Sequence, residues 1–418
     1  MENVTNDRAT RWSKVFTFLI VAFPVLDIYA VGMKGISIGS LLLSAALVGI
    51  GINFLTKRHS VKWNPYYAFF YYGIFISFFT ILIHNDFSVS DVIVRLTYFL
   101  FYTLLIFMPS KYDFNINYAG KIYMTIGLIA GLFLLLQYIC FFGMGYMLVG
   151  LIPGMPLNYS ITDYSDWIDK YNNMYLAVFR PTSFFPEPAS FAQFMTPLLV
   201  MTLFSKIGEN RRLLKAAFIS LVMVLSTSTN GIIFSAFAWG GYILYRNFSG
   251  IKRGHFPILM VPLFFILAVV FVVVGFTDNP ISDYTVRQFE GLFTMNESSS
   301  AYLRVLRGFD IYSQLVPLEE IFGIGLGTYR SYYATGALYV FDGETEYMSS
   351  LSYLFVSTGL IGFIIYTYSL IYNSRNRGIA ARILAIWIMV AFSSSSLLNT
   401  PIYLLTYLFL LHYRDIRG

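Results

Sequence analysis

The sequence predicts an all-α protein that crosses a membrane about twelve times, joined by short turns on one face and two long loops on the other. Three observations lead there. Of 418 residues, 57% are apolar and only 12% charged, against roughly a quarter charged in an ordinary soluble domain. Apolar runs of roughly 17 to 25 residues, enough to cross a bilayer core as a helix, recur throughout. They lie near 14–31, 36–55, 66–83, 91–108, 122–148, 188–205, 214–228, 231–246, 256–276, 349–372, 379–396 and 399–412. Finally, when the gaps between runs are taken alternately, the set that includes both termini holds all but eight of the 28 Lys and Arg residues. Basic residues concentrate in cytoplasmic loops, so both termini are expected in the cytoplasm.

Taken in order, the first run follows "MENVTNDRATRWSK" without a small-x-small cleavage site, and reads as a retained helix rather than a removable signal. Asp27 lies near its outer end, with Lys34 just beyond. Arg95 lies in the first turns of the fourth helix, after "HNDFSVSD". Ionisable groups in a membrane cost several kcal/mol unless paired or near water. Each therefore either lines the outer mouth of the bundle or makes a local salt bridge. Cys140, the single cysteine, sits inside the fifth run and has no intramolecular partner for a disulfide. The whole chain, 1–418, reads as one integral membrane domain. Its long loops, 150–187 and 277–348, fall on the outer face.

The net charge of +6 is mostly a topology signal, and the basic residues sit in short scattered turns that do not suit nucleic acid. Aromatic residues, 19% of the chain, read mainly as lipid-facing or interfacial anchors, with a few near the outer loops available to stack on sugar rings. His59, His84, His255 and His412 fall in loops or at helix ends, and none reads as a buried catalytic histidine.

The eight exceptions on the outer side are Lys34, Arg95, Lys170, Arg180, Arg287, Arg304, Arg307 and Arg330. Arginine's planar fork suits bidentate binding of phosphate or carboxylate better than lysine's point charge does. In "RPTSFFPEPASFAQF", Pro181 forces Arg180 into an extended conformation. Pro188 is expected to open the sixth helix with Glu187 at its cap, where the helix dipole favours a carboxylate. The stretch reads as a stiff arm presenting Arg180 and Glu187, or as a rigid turn with an incidental ion pair. Glu187 is a candidate base, or a brace for Arg180.

In the second loop, "SSSAYLRVLRGFDIYSQL" spaces Leu303, Leu306 and Phe309 as an amphipathic helix ending before Pro317. Arg304 and Arg307, three apart, point the same way. They form either a diphosphate clamp or a pair snorkelling toward lipid headgroups. "FGIGLGTYR" has glycines at nucleotide-loop spacing but no preceding strand, so it reads as a tight turn delivering Arg330. Beyond it, Asp342, Glu344 and Glu346 form an acidic cluster: solvated, cation-binding, or supplying a general base.

The order of "RPTSFFPEPASFA", "LSTSTNGIIFSAF", "SSSAYLRVLRGFDI", "LEEIFGIGLGTYR" and "YMSSLSYLFVSTGLIG", over roughly 179–362, resembles the O-antigen polymerase and O-antigen ligase group of bacterial membrane glycosyltransferases. The resemblance implies a GT-C-like bundle in the bacterial inner membrane. It also implies a metal-independent enzyme, with no cofactor, whose donor is a glycan on undecaprenyl diphosphate. The acceptor would be a second lipid-linked repeat unit, and the reaction would occur on the periplasmic face. On the matching motifs, Arg180 and Arg304 would contact the donor diphosphate, with Arg307 adjacent. A chain-length regulator would be a separate partner. Two departures stand out. The ligases carry a His-Asn pair where this chain has "ETEYMSS", which favours a polymerase and leaves Glu344 or Glu346 as substitutes for the base. The serine-rich turn reads "STSTNG" without the group's arginine, which leaves Arg95, Arg307 or Arg330 to supply that charge. A lipid-linked oligosaccharide flippase is the main rival from another class. No internal repeat of the transporter kind is evident, however.

Overall fold

The structure, a computed structural model, describes residues 11–32, 35–56, 63–84, 87–109, 113–158, 179–204, 211–248, 305–336, 338 and 348–413. Among these residues there are helices and two isolated β-bridges, with no strand. The helices are α1 (Arg11–Leu26), α2 (Ile38–Thr56), α3 (Pro65–Ile83), α4 (Val89–Phe107), α5 (Ile116–Met144), α6 (Pro188–Phe204), α7 (Arg212–Leu225), α8 (Thr229–Phe248), α9 (Arg307–Tyr312), α10 (Pro317–Phe322), α11 (Tyr329–Ala334), α12 (Ser350–Ser374), α13 (Ile379–Ser394) and α14 (Pro401–His412).

Each expected run that falls in the described residues is a helix, and the shifts at the ends have local causes. α1 stops at Leu26, short of the expected 31, because Pro24 lies in its last turn and the chain turns at Asp27. α5 starts early at Ile116 because the Asn115 side chain caps the Tyr118 N–H at 2.9 Å. It ends at Gly145, whose φ of 65° is the left-handed conformation that commonly closes a helix. The run at 256–276 lies outside the described residues. Among the described residues, four helices, α3, α4, α5 and α12, are long and apolar enough to cross a membrane. The apolar helices α6, α13 and α14 and the apolar part of α2 (Ile38–Ile52) are shorter.

On α3 and α5 the exposed face is apolar as well as the buried one, unlike that of a helix in a water-soluble protein. On α3, Tyr66, Phe69, Gly73, Ile76 and Thr80 are buried. Tyr71, Phe75, Phe78 and Leu82, at i, i+4, i+7 and i+11, are exposed. α5 exposes Leu132, Leu136 and Ile139 in the same way. Continuous apolar stripes of this length would aggregate in water and are at home against lipid. The protein is a helical membrane protein.

The chain forms two compact units. One comprises Met1–His59 and Leu104–Gly275, the other Ser60–Thr103 and Phe276–Gly418. In the first, α1 packs on α2 and α5, while α6 packs on α7 and α8 and is almost wholly buried. Its 28–30 and 156–158 segments, which the alternation of gaps assigns to one face, meet. Ala30 N–H donates to Pro156 O, and Asn158 N–H to Ile28 O, both at 2.8 Å. In the second unit α12 is the central post, with α3, α9, α10, α13 and α14 packed on it. Asn64 at the start of α3 bonds Asn373 near the end of α12 at 2.7 Å. At the other end of α3, the Ser88 N–H reaches Ser331 Oγ at 3.0 Å.

Candidate functional site

In the first unit, the arm after the first long loop has the stiffness its prolines predict, and one glutamine holds it. Phe179 stacks on Phe141 of α5 at 4.2 Å and meets Tyr138 edge-on. This anchors the residue before Arg180, which is itself partly exposed. Ser183 adopts φ 57°, a strained conformation for a side-chain-bearing residue. It is held there by Gln137 and Ala130 of α5. Gln137 Oε1 accepts the Ser183 N–H at 2.8 Å, Gln137 Nε2 donates to Ser183 O at 3.2 Å and Leu148 O at 2.9 Å, and Ser183 Oγ donates to Ala130 O at 2.7 Å. Glu187 O accepts the Phe191 N–H at 3.1 Å, so Glu187 caps α6 and Pro188 opens it, as expected. The Glu187 side chain is exposed.

The serine-rich turn joins α7 to α8 with Ser226, Thr227, Ser228 and Asn230 all buried. Gly231 lies so close to Met223 O that any side chain would collide with it. Tyr138 links this turn to the arm: its ring meets Phe179, and its hydroxyl donates to Leu225 O at 2.6 Å. Thr227 has φ 56°. Its Oγ1 is buried with no hydrogen-bond partner among the described residues. A buried unsatisfied hydroxyl costs about 1–3 kcal/mol. Strain and an unmet hydroxyl at one residue are features that binding sites retain. Asp27, elsewhere in this unit, accepts a hydrogen bond from Ser37 Oγ at 2.5 Å.

In the second unit, Arg307 opens α9 and is only 4% exposed, so it does not snorkel along a lipid surface. α9 packs on α12, where Gly308 lies against Ser352 with no room for a side chain. Of the helix expected through 298–315, residues 298–304 lie outside the described residues, and the remainder is helical from Arg307 to Tyr312. It gives way to a turn before Pro317.

The glycine-rich stretch does not form a phosphate cradle. Ile324 N–H donates to Val356 O at 3.0 Å, Gly325 N–H to Ser357 O at 2.8 Å, and Leu326 N–H to Ser77 Oγ at 2.7 Å. Those amides are thus committed to the protein. Gly323, Gly325 and Gly327 have φ of 84°, 92° and 84°, which glycine adopts without strain. A Cβ would meet Ser357 O at 2.5 Å from Gly323, Ser77 Cα at 2.7 Å from Gly325, and Asp91 O at 2.8 Å from Gly327. The opposing residue of α12 is Gly359, which breaks the helix at φ 62°, ψ −172°. The stretch is therefore an interlock between α3, α4 and α12 that presents α11. Gly327 also lies over the Arg95 stem. Arg95 and Arg330 are both exposed. The structure thus brings Arg95 beside the turn that carries Arg330.

A cluster that the sequence did not disclose lies at the same place. Tyr332 of α11, 5% exposed, donates its hydroxyl hydrogen to Glu319 Oε1 at 2.6 Å. The same hydroxyl lies 3.3 Å from His84 Nε2. Glu319 Oε2 accepts the Val316 N–H at 3.2 Å. The His84 ring stacks on Phe87 at 4.6 Å with 9° between planes. Burial first, then the hydrogen bond to Glu319 and its charge, hold the Tyr332 hydroxyl far above the ordinary tyrosine value of 10.0. No local pattern joins residues 84, 319 and 332, because the contact depends on how the glycine interlock seats α11.

Of the other expected site residues, Arg304, Asp342, Glu344 and Glu346 lie outside the described residues. No group of three or more His, Cys, Asp or Glu suited to a metal ion occurs among the described residues. No model of a known protein family matches the chain, and no curated protein is significantly similar to it.

Proposed function

We propose that this helical membrane protein is a polysaccharide polymerase of the O-antigen type. It would transfer a glycan from undecaprenyl diphosphate to a lipid-linked repeat-unit acceptor on the periplasmic face of a bacterial inner membrane, with both termini cytoplasmic. One observation carries the reading. In a single unit, a braced arm bearing Arg180 adjoins, through Tyr138, a buried polar turn with a strained, unsatisfied Thr227. A guanidinium on a stiff arm beside unmet hydrogen-bonding capacity suits a lipid diphosphate. The distribution of basic residues supports the outer-face assignment. So do the meeting of the 28–30 and 156–158 segments and that of Ser88 with Ser331.

In the reaction, an acceptor hydroxyl oxygen attacks the anomeric carbon of the donor. A new glycosidic C–O bond forms as the bond to the diphosphate breaks, and the diphosphate leaves with the electron pair. Arg180 stabilises the charge developing on that leaving group. The hydroxyl proton passes to a base. The test is to supply purified protein in lipid vesicles with lipid-linked repeat units and no nucleotide. Elongation supports the polymerase. Transfer only to lipid A-core would indicate a ligase, and transport without elongation a flippase.

A further inference from the structure

We propose that residues 316–326 form a re-entrant segment, which dips into the membrane from the side on which α3 ends, reaches about mid-depth and returns on the same side, with the apolar face of α10 against lipid acyl chains. This needs only a membrane-spanning protein, not the polymerase activity, and every contact involved lies within the second unit. Depth can be read along α3 and α12, two of the helices long enough to cross. Tyr72 donates its hydroxyl hydrogen to Phe322 O at 2.7 Å. At about 1.5 Å per residue, Tyr72 lies about 16 Å from the Ile83 end of α3. Gly359, which leaves no room for a side chain beside Ile321 O, lies about 14 Å from the Ser350 end of α12. Half of a hydrocarbon core of about 30 Å is about 15 Å. Both helices thus set Ile321 and Phe322 near the bilayer centre. The flanks are shallow. Glu319 accepts from Tyr332, whose hydroxyl lies 3.3 Å from His84 Nε2 just past the end of α3. Ser331 Oγ accepts the Ser88 N–H just before α4.

Irregular backbone survives at that depth only where protein satisfies its polar groups, because each unmet group costs several kcal/mol there. The segment meets this demand. The Gly323 N–H donates to Glu319 O at 2.7 Å, Ile324 N–H to Val356 O at 3.0 Å, Gly325 N–H to Ser357 O at 2.8 Å and Leu326 N–H to Ser77 Oγ at 2.7 Å. Phe322 O is taken by Tyr72, and the Thr328 hydroxyl is shared between Ile324 O at 2.5 Å and Gly325 O at 3.0 Å. The break in α12 at Gly359 follows directly on Val356 and Ser357, whose carbonyls receive two of these amides. A loop on the membrane surface could leave such groups to water.

α10 also presents the wrong face for water. Val316, Leu318, Ile321 and Phe322 are exposed, Leu318 by 69%. The Glu319 carboxylate instead turns inward, one oxygen on the Tyr332 hydroxyl and the other on the Val316 N–H. Apolar side chains outside and a satisfied acid inside suit a helix against lipid, and a patch of this kind is a liability in water. The patch also continues the lipid-facing surface of the unit. Ile321 lies against Gly359, whose neighbour Leu360 is exposed, and Phe322 is bonded to Tyr72, whose neighbour Tyr71 is exposed. The occupant is therefore the acyl chains of the bilayer, which already cover the stripes on α3 and α12.

The experiment uses the full-length protein with Cys140→Ala in phosphatidylcholine vesicles, spin-labelled at Leu318→Cys or Phe322→Cys. Phe75→Cys on the exposed face of α3 and Ser90→Cys, exposed in the first turn of α4, serve as references. Collisions with oxygen, which concentrates in hydrocarbon, and with a water-soluble nickel chelate are read by electron paramagnetic resonance. The Phe322→Cys label should match that at Phe75→Cys, open to oxygen and closed to the chelate, and the Ser90→Cys label should show the reverse. Leu318→Cys should fall between them. Chelate access at Phe322→Cys equal to that at Ser90→Cys would set the segment on the surface and overturn the proposal. Shielding from both reagents would mean that a protein neighbour or a second copy covers α10, and would overturn the lipid contact. Because a label can disturb packing, the unsubstituted protein is also irradiated in vesicles whose phosphatidylcholine carries a diazirine on the acyl chain, and the adducts are mapped by mass spectrometry. Adducts within 316–322 are expected alongside those on α3. Adducts on α3 and α5 with none at 316–322 would overturn the proposal. These vesicles contain no polyprenyl lipid, so each adduct reports a bilayer acyl chain.

Discussion

The two units hold Arg180 and Arg330 in different ways. In the first, Arg180 rides on an arm whose register depends on one side chain, Gln137, and on a strained serine. In the second, Arg330 follows a turn locked by backbone contacts, in which three glycines press against α3, α4 and α12. A side-chain clamp can be released by one substitution at modest cost. A glycine interlock fails wherever a Cβ is added. The first device suits a part that touches a ligand directly, and the second a scaffold that keeps distant elements in register.

Substitutions in each unit should expose this contrast, beginning with the largest effect. Arg180→Ala should reduce elongation at least about 10²–10³-fold, the scale of losing a donor to transition-state charge, with unchanged thermal unfolding. Lys at 180 should recover only part of the activity, because it cannot bind in bidentate fashion. Gly323→Ala or Gly359→Ala should destabilise the second unit by about 2–4 kcal/mol, combining positive-φ strain with overpacking. The check is the unfolding midpoint of the purified protein.

Gln137→Leu should cost about 1–3 kcal/mol by leaving the Ser183 amide and carbonyl unmet, and should lower activity more than stability. Thr227→Val should move the two properties apart. Removing an unsatisfied buried hydroxyl leaves stability unchanged or raises it by about 1 kcal/mol, while elongation falls.

The smallest effect concerns alkaline pH. Because the folded state raises the Tyr332 pKa, the associated stability is complete below the ordinary tyrosine value of 10.0 and is lost as pH rises toward the folded value. Tyr332→Phe should therefore flatten the decline in stability above pH 10, as measured by thermal unfolding from pH 8 to 11.

Much of the fold was legible because apolar runs and caps are local. Pro188 marks the start of α6 through its immediate neighbours, whereas the Asn115 cap and the left-handed Gly145 move the ends of α5 away from the expected 122–148. Arg180 and the cap role of Glu187 could be read for the same reason, since Pro181 and Pro188 act on their immediate neighbours. The acceptance of Tyr332 by Glu319 could not be read. It pairs a turn of α10 with a helix 13 residues on, and His84 lies 248 residues from its partner. The glycines of "FGIGLG" were visible, yet which backbone each one faces depends on the kink at Gly359. The burial of Arg307 was equally hidden, because pattern alone served a clamp and a snorkelling helix alike.

The central claim is that the chain polymerises lipid-linked glycans through Arg180. The most direct measurement is the product length made by purified wild-type and Arg180→Ala proteins in vesicles loaded with lipid-linked repeat units, without nucleotide or divalent metal. The wild type should give a ladder of lengthened, lipid-linked chains, and the variant single units only. Equal ladders from both proteins, or transport of the units across the vesicle membrane with no ladder from either, would contradict it.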